Sequence, residues 1–130
     1  MQLLLFFTHN LPPIILATIL FKFEDKNLPP VEIQALKGDT ILDIAEDNGV
    51  HLNHNCGGVC ACSTCHVYVD SPDEDAFPES SDREEDFIDR AINPRLNSRL
   101  ACQCQLLKSD KNLRIEVLVP DQSRIIGHEH

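Results

Sequence analysis

Cys56, Cys62 and Cys65 stand as C-x5-C-x2-C in a chain of 130 residues, and Cys102 follows the last of them after 36 intervening residues. Cys60 and Cys104 are left over. Three sulfurs from one loop converge on a point only if the backbone coils around it, and Gly57 and Gly58 give that freedom without a Cβ penalty. Ser63 and Thr64 add small polar groups able to point inward at a thiolate or a sulfide. Cys102, arriving from a distant strand, closes a fourth position. Four thiolates around one centre suit zinc or an iron–sulfur cluster. Structural zinc sites usually carry two tight C-x2–4-C knuckles. Here one end offers three thiols and the other a single thiol, or a C-x-C if Cys104 is counted. The three-plus-one layout is that of a binuclear cluster, in which each iron takes two thiolates and two sulfides.

The elements that must hold these sulfurs can be read from period and caps. Apolar alternation over Ile19–Glu24 and over Val31–Ala35 predicts two half-buried strands, with Asn27-Leu28-Pro29-Pro30 as the turn of a hairpin. Asp39–Asn48 reads as a short helix, with Thr40 and Asp43 at capping-box spacing and Asn48-Gly49 as its stop. The turn-rich loop His51–Thr64 leads to a strand at Cys65–Val69. Ser81–Ile92 reads as a second helix, with a capping box from Ser81 and Glu84. Arg99–Leu106 and Leu113–Val119 are closing strands. About five strands and two or three helices in an order that is not strictly alternating predict an α+β domain.

Composition narrows the setting. Lys+Arg is 11 and Asp+Glu 21, a formal net charge of −10, which excludes nucleic acid and anionic membrane as natural partners. Met1–Leu20 is apolar but lacks the basic n-region of a signal peptide and the Arg and Ser of a transit peptide. Thr8-His9-Asn10 and Pro12-Pro13 break it as a spanning helix. Residues 1–17 are therefore expected to be a poorly ordered extension without stable membrane insertion, and 18–130 the folded domain with a short tail. The setting is read as intracellular and cytoplasmic, as in bacteria, where clustered thiols more often bind metal than pair.

Cys56-Gly57-Gly58-Val59-Cys60-Ala61-Cys62-Ser63-Thr64-Cys65-His66, with Ser98-Arg99-Leu100-Ala101-Cys102-Gln103, closely resembles the adrenodoxin-type [2Fe–2S] ferredoxins, including bacterial ones tied to iron–sulfur assembly. Plant-type members have x4 where this chain has x5. The resemblance implies a β-grasp fold, a mixed sheet crossed by a helix. It also implies a [2Fe–2S] cluster on Cys56, Cys62, Cys65 and Cys102. Cys60 and Cys104 are read as structural filler or weakly exposed thiols. The activity implied is one-electron transfer at low potential, with no catalysis of the chain's own.

On the Ser81–Ile92 helix, 100° per residue gathers Asp82, Glu85, Asp86 and Asp89 within about 100° of one another, opposite Phe87, Ile88 and Ala91. In the family such acids dock basic patches on reductase and acceptor, although Arg83 and Arg90 flank the face here. The resemblance implies an FAD-containing NAD(P)H ferredoxin reductase as donor. It gives the iron–sulfur assembly proteins as acceptor, with a cytochrome P450-type monooxygenase as the alternative, and a monomeric carrier. The His128-Glu129-His130 end is similar to that of assembly-linked bacterial relatives. His66 is expected to pack on its strand and hydrogen-bond a neighbour, with a family-like role as a structural link between the cluster loop and the acidic helix. Outside this class, a zinc-stabilised interaction module and a cluster-based redox sensor are the rivals. The sensor lacks room for an effector domain.

Overall fold

A computed structural model describes residues 15–52, 65–91 and 93–120. Among these, the chain runs β1 (Ala17–Phe23), β2 (Val31–Ala35), α1 (Ile41–Asp47), β3 (His66–Asp70), a 3₁₀ turn (Glu74–Ala76), α2 (Asp82–Asp89), β4 (Ser98–Leu100), a second 3₁₀ turn (Ala101–Gln103) and β5 (Arg114–Val119). The sheet order is β2-β1-β5-β3-β4. It is mixed: β1 pairs antiparallel with β2 and parallel with β5, while β3 is antiparallel to both β5 and β4. The α+β class expected from the element pattern is the one observed.

Period-2 alternation does the sorting. Ala17, Ile19 and Phe21 of β1 are fully buried, as are Ile115 and Val117 of β5. Ile19 lies opposite Ile33 on one side and Ile115 on the other, so one face of the sheet is continuous and apolar. The outward residues pair as ions, Lys22 with Glu116 at 2.7 Å and Arg114 with Glu32 at 2.7 Å. β1 begins one residue ahead of the expected domain start, because Ala17 is buried and paired with Ala35.

Thr40 Oγ1 accepts from Asp43 N at 3.0 Å and caps α1. The helix buries Ile41, Leu42, Ile44 and Ala45 in the same core as the strands. It ends where Gly49 turns to φ +76 and Val50 N reaches back to Ala45 O, a conformation that a Cβ would oppose. Ser81 Oγ accepts from Glu84 N at 3.1 Å and caps α2.

Two expectations need correction. The helix expected over Ser81–Ile92 stops at Asp89, because Pro94 disfavours helical backbone at Asn93, which adopts φ 54. The strand expected over Arg99–Leu106 is only Ser98–Leu100, and then coils into a 3₁₀ turn. The backbone beyond is claimed by α1 and the loop before it: Ile41 N donates to Cys104 O, Gly38 N to Leu106 O, and Leu106 N to Asp39 O. The 3₁₀ turn at Glu74–Ala76, capped by Asp73, went unforeseen. Among the described residues no helix is long and apolar enough to cross a membrane.

Candidate metal centre

Cys65 is the residue before β3, and Cys102 sits in the 3₁₀ turn that follows β4. The antiparallel β3–β4 ladder, with His66 opposite Leu100, brings them together. Ala101 N donates to Cys65 O at 3.0 Å and locks the approach. The two Sγ atoms are 3.5 Å apart, and both residues are buried, at 1 % and 7 % exposure. A disulfide holds its sulfurs at about 2.05 Å, so these are two separate thiols. Two thiolates on one tetrahedral metal at about 2.3 Å would stand about 3.7 Å apart. The observed pair fits that demand. Cys56, Cys60 and Cys62 lie outside the described residues, as do all of residues 53–64, the first 14 residues and the His128-Glu129-His130 end.

Cys104 behaves differently from its neighbour. Its side chain is fully buried, and burial pushes its thiol up to about 12. A protonated, sealed thiol is a small hydrophobe and a poor ligand.

His66 is 4 % exposed; its Nε2 lies 2.7 Å from Ser98 Oγ on β4, and its ring meets Tyr68 edge-on at 4.7 Å. Burial, helped by the Arg95 charge, lowers its pKa to about 4, so the ring is neutral at physiological pH. Ser98 Oγ also accepts from Arg95 N at 2.7 Å, and the Arg95 guanidinium lies 4.0 Å from the Tyr68 ring centroid.

Asp82, Glu85, Asp86 and Asp89 are all exposed on α2. Glu85 accepts from Ser80 Oγ, and Arg90 packs its guanidinium on Phe87, 5.3 Å from the ring centroid. Glu84, on the same helix, does the reverse. It is 1 % exposed and takes Arg99 through both oxygens, at 2.8 and 3.1 Å, and Leu100 N at 3.0 Å. Its role was missed by reading it as half of a capping box. Relative to Asp82, Glu84 lies at about 200° on the helix, between Phe87 and Ile88. A carboxylate in the middle of an apolar stripe implies a buried counter-charge. Arg99, two residues from Leu100's successor Ala101 and three from Cys102, is that counter-charge. β4 thus fastens α2 through Arg99 and β3 through Ser98.

A mixed sheet with two buried, paired thiols where β3 and β4 meet defines a domain built to hold a thiolate-ligated metal centre. The chain belongs to the 2Fe-2S iron-sulfur cluster binding domain family, which it matches over residues 24–107. It is 41 % identical over 95 residues to the mitochondrial adrenodoxin homolog of Saccharomyces cerevisiae, covering 73 % of this chain and 54 % of that protein. It thus spans about half the length of that relative. An ISC-like [2Fe-2S] ferredoxin from Pseudomonas putida superposes with a TM-score of 0.65 at 34 % identity, over 77 % of this chain and 90 % of that one. A chain from the covalent putidaredoxin reductase–putidaredoxin complex superposes at 0.64 with 25 % identity, over 77 % of this chain and 96 % of that one. The fold is therefore the β-grasp of the [2Fe–2S] ferredoxins, and the cofactor is a [2Fe–2S] cluster. This is an adrenodoxin-type domain, a class of electron carriers.

Proposed function

We propose that this chain ferries single electrons through a [2Fe–2S] cluster held by Cys56, Cys62, Cys65 and Cys102. The observation that carries the assignment is the 3.5 Å separation of the Cys65 and Cys102 sulfurs, which suits two ligands of one iron. The bound cluster supplies a one-electron couple. The chain's own residues bury the Cys65 and Cys102 side chains and, at a net charge of −10, disfavour a further negative charge, which holds the potential low.

The donor in this reading is an FAD-containing NAD(P)H ferredoxin reductase, docking on Asp82, Glu85, Asp86 and Asp89. Likeness to a chain crystallised with putidaredoxin reductase supports it. The acceptor is the iron–sulfur assembly machinery, supported by likeness to the ISC-like ferredoxin and by the family resemblance. The test is a pair of substitutions. Cys102→Ser should abolish or severely alter cluster incorporation, read by visible absorption and acid-labile sulfide, while Cys104→Ser should not. Equal loss in both would undo the ligand assignment.

A further inference from the structure

Gln103 follows Cys102, and its side-chain Nε2 lies 3.4 Å from the Cys102 Sγ. Only the NH2 end of a carboxamide can face a thiolate; its oxygen would meet the sulfur's lone pairs. We propose that Gln103 is a tuning residue, whose side-chain N–H donates to the Cys102 sulfur and raises the reduction potential of the cluster. The proposal rests on Cys102 being a ligand.

The backbone is what permits this contact. In a strand, residues 102 and 103 would point to opposite faces and the amide could not reach the sulfur. The Ala101–Gln103 3₁₀ turn sets consecutive side chains about 120° apart instead. The turn is pinned at one end by Ala101 N on Cys65 O and at the other by Cys104 N on Ala101 O. Gln103 is half-buried against a Cys102 that is 7 % exposed, so water competes only partly for the sulfur.

Charge gives the sign. Reduction adds one electron from the donor protein, turns one ferric iron ferrous and needs no proton. The thiolates become more negative, and a donor aimed at one of them bonds more strongly in the reduced state than in the oxidised. Removing that donor should disfavour reduction about fivefold, a fall of about 40 mV at 59 mV per tenfold for one electron.

The experiment is a potentiometric titration of the purified full chain with its cluster, using dithionite and mediator dyes and followed by visible absorbance and EPR. Gln103→Leu should lower the potential by about 40 mV, and the isosteric Gln103→Glu, which lacks the donor and adds a negative charge, should lower it at least as far. Gln105→Leu is the control, because Gln105 Nε2 is occupied with Gly38 O at 3.2 Å; its potential should not move. A shift under about 1.5-fold, ~10 mV, in both Gln103 variants overturns the proposal, even if their melting points fall. Should Gln103→Leu lose the cluster, the neutral, near-isosteric Gln103→Met, which also lacks the donor, takes its place. Cys102→Ser run alongside separates the two readings. An unchanged spectrum there removes the ligand premise, whereas an altered spectrum with unmoved Gln103 potentials refutes the tuning alone.

Discussion

Glu84→Ala should be the most damaging single change outside the cysteines. The carboxylate is 1 % exposed and receives three hydrogen bonds, two from Arg99 and one from Leu100 N. Truncation leaves the Arg99 guanidinium, itself only 16 % exposed, without its counter-charge and Leu100 N without an acceptor. Breaking a buried pair from one side costs about 3–5 kcal/mol. The partial exposure of Arg99 argues for the lower end, about 3 kcal/mol. For a domain of this size each kcal/mol moves the midpoint by about 4–8 °C, so the fall is about 12 °C or more. Thermal scans at one fixed rate, following far-UV dichroism and cluster absorbance together, would read it as an apparent midpoint, since cluster loss makes unfolding irreversible. The double variant Glu84→Leu with Arg99→Met should lose less than the two single changes combined, because no charge is then buried alone. A Glu84→Ala midpoint within about 3 °C of the parent would refute the reasoning.

Reversing Asp86 and Asp89 to Lys should slow reduction by the reductase on the order of tenfold at low salt, with the gap closing as salt rises; equal rates at low salt would dismiss the docking face. His66 has a folded-state pKa of about 4 against 6.5 for the free side chain. Its protonation therefore opposes folding, so stability is untouched above about pH 6.5 and declines as pH falls toward 4, by up to about 3 kcal/mol. An imidazole NMR titration with a midpoint near 6.5 in the folded chain would contradict this. Ser98→Ala removes one hydroxyl from both His66 Nε2 and Arg95 N and should cost about 2 kcal/mol in denaturant unfolding; no change in the midpoint would show the contacts to be idle.

The parts of this fold that obey a local rule were legible in the sequence. β1, β2 and β5 alternate, and Thr40 and Ser81 cap the helices at the spacing their side chains require. The parts that failed are set by distant partners. Arg-Leu-Ala-Cys-Gln-Cys-Gln-Leu alternates as a strand should, yet Ile41 N and Gly38 N draw its carbonyls to the α1 side and coil the residues between. Glu84 carried its signal on the helical wheel, in the apolar stripe, but naming Arg99 as its partner needed the fold. Of the four expected cluster ligands, Cys65 and Cys102 come together across the β3–β4 ladder, while Cys56 and Cys62 fall outside the described residues.

The place of β5 has a consequence for biosynthesis. Among the described residues it is the last strand along the chain, yet it occupies the middle of the sheet, between β1 and β3. A ribosome-bound chain lacking residues 114–119 has two half-sheets with bare edges and no common floor, so the domain closes only once that stretch has emerged. Closure of the sheet accordingly waits until the polypeptide has been translated through Val119.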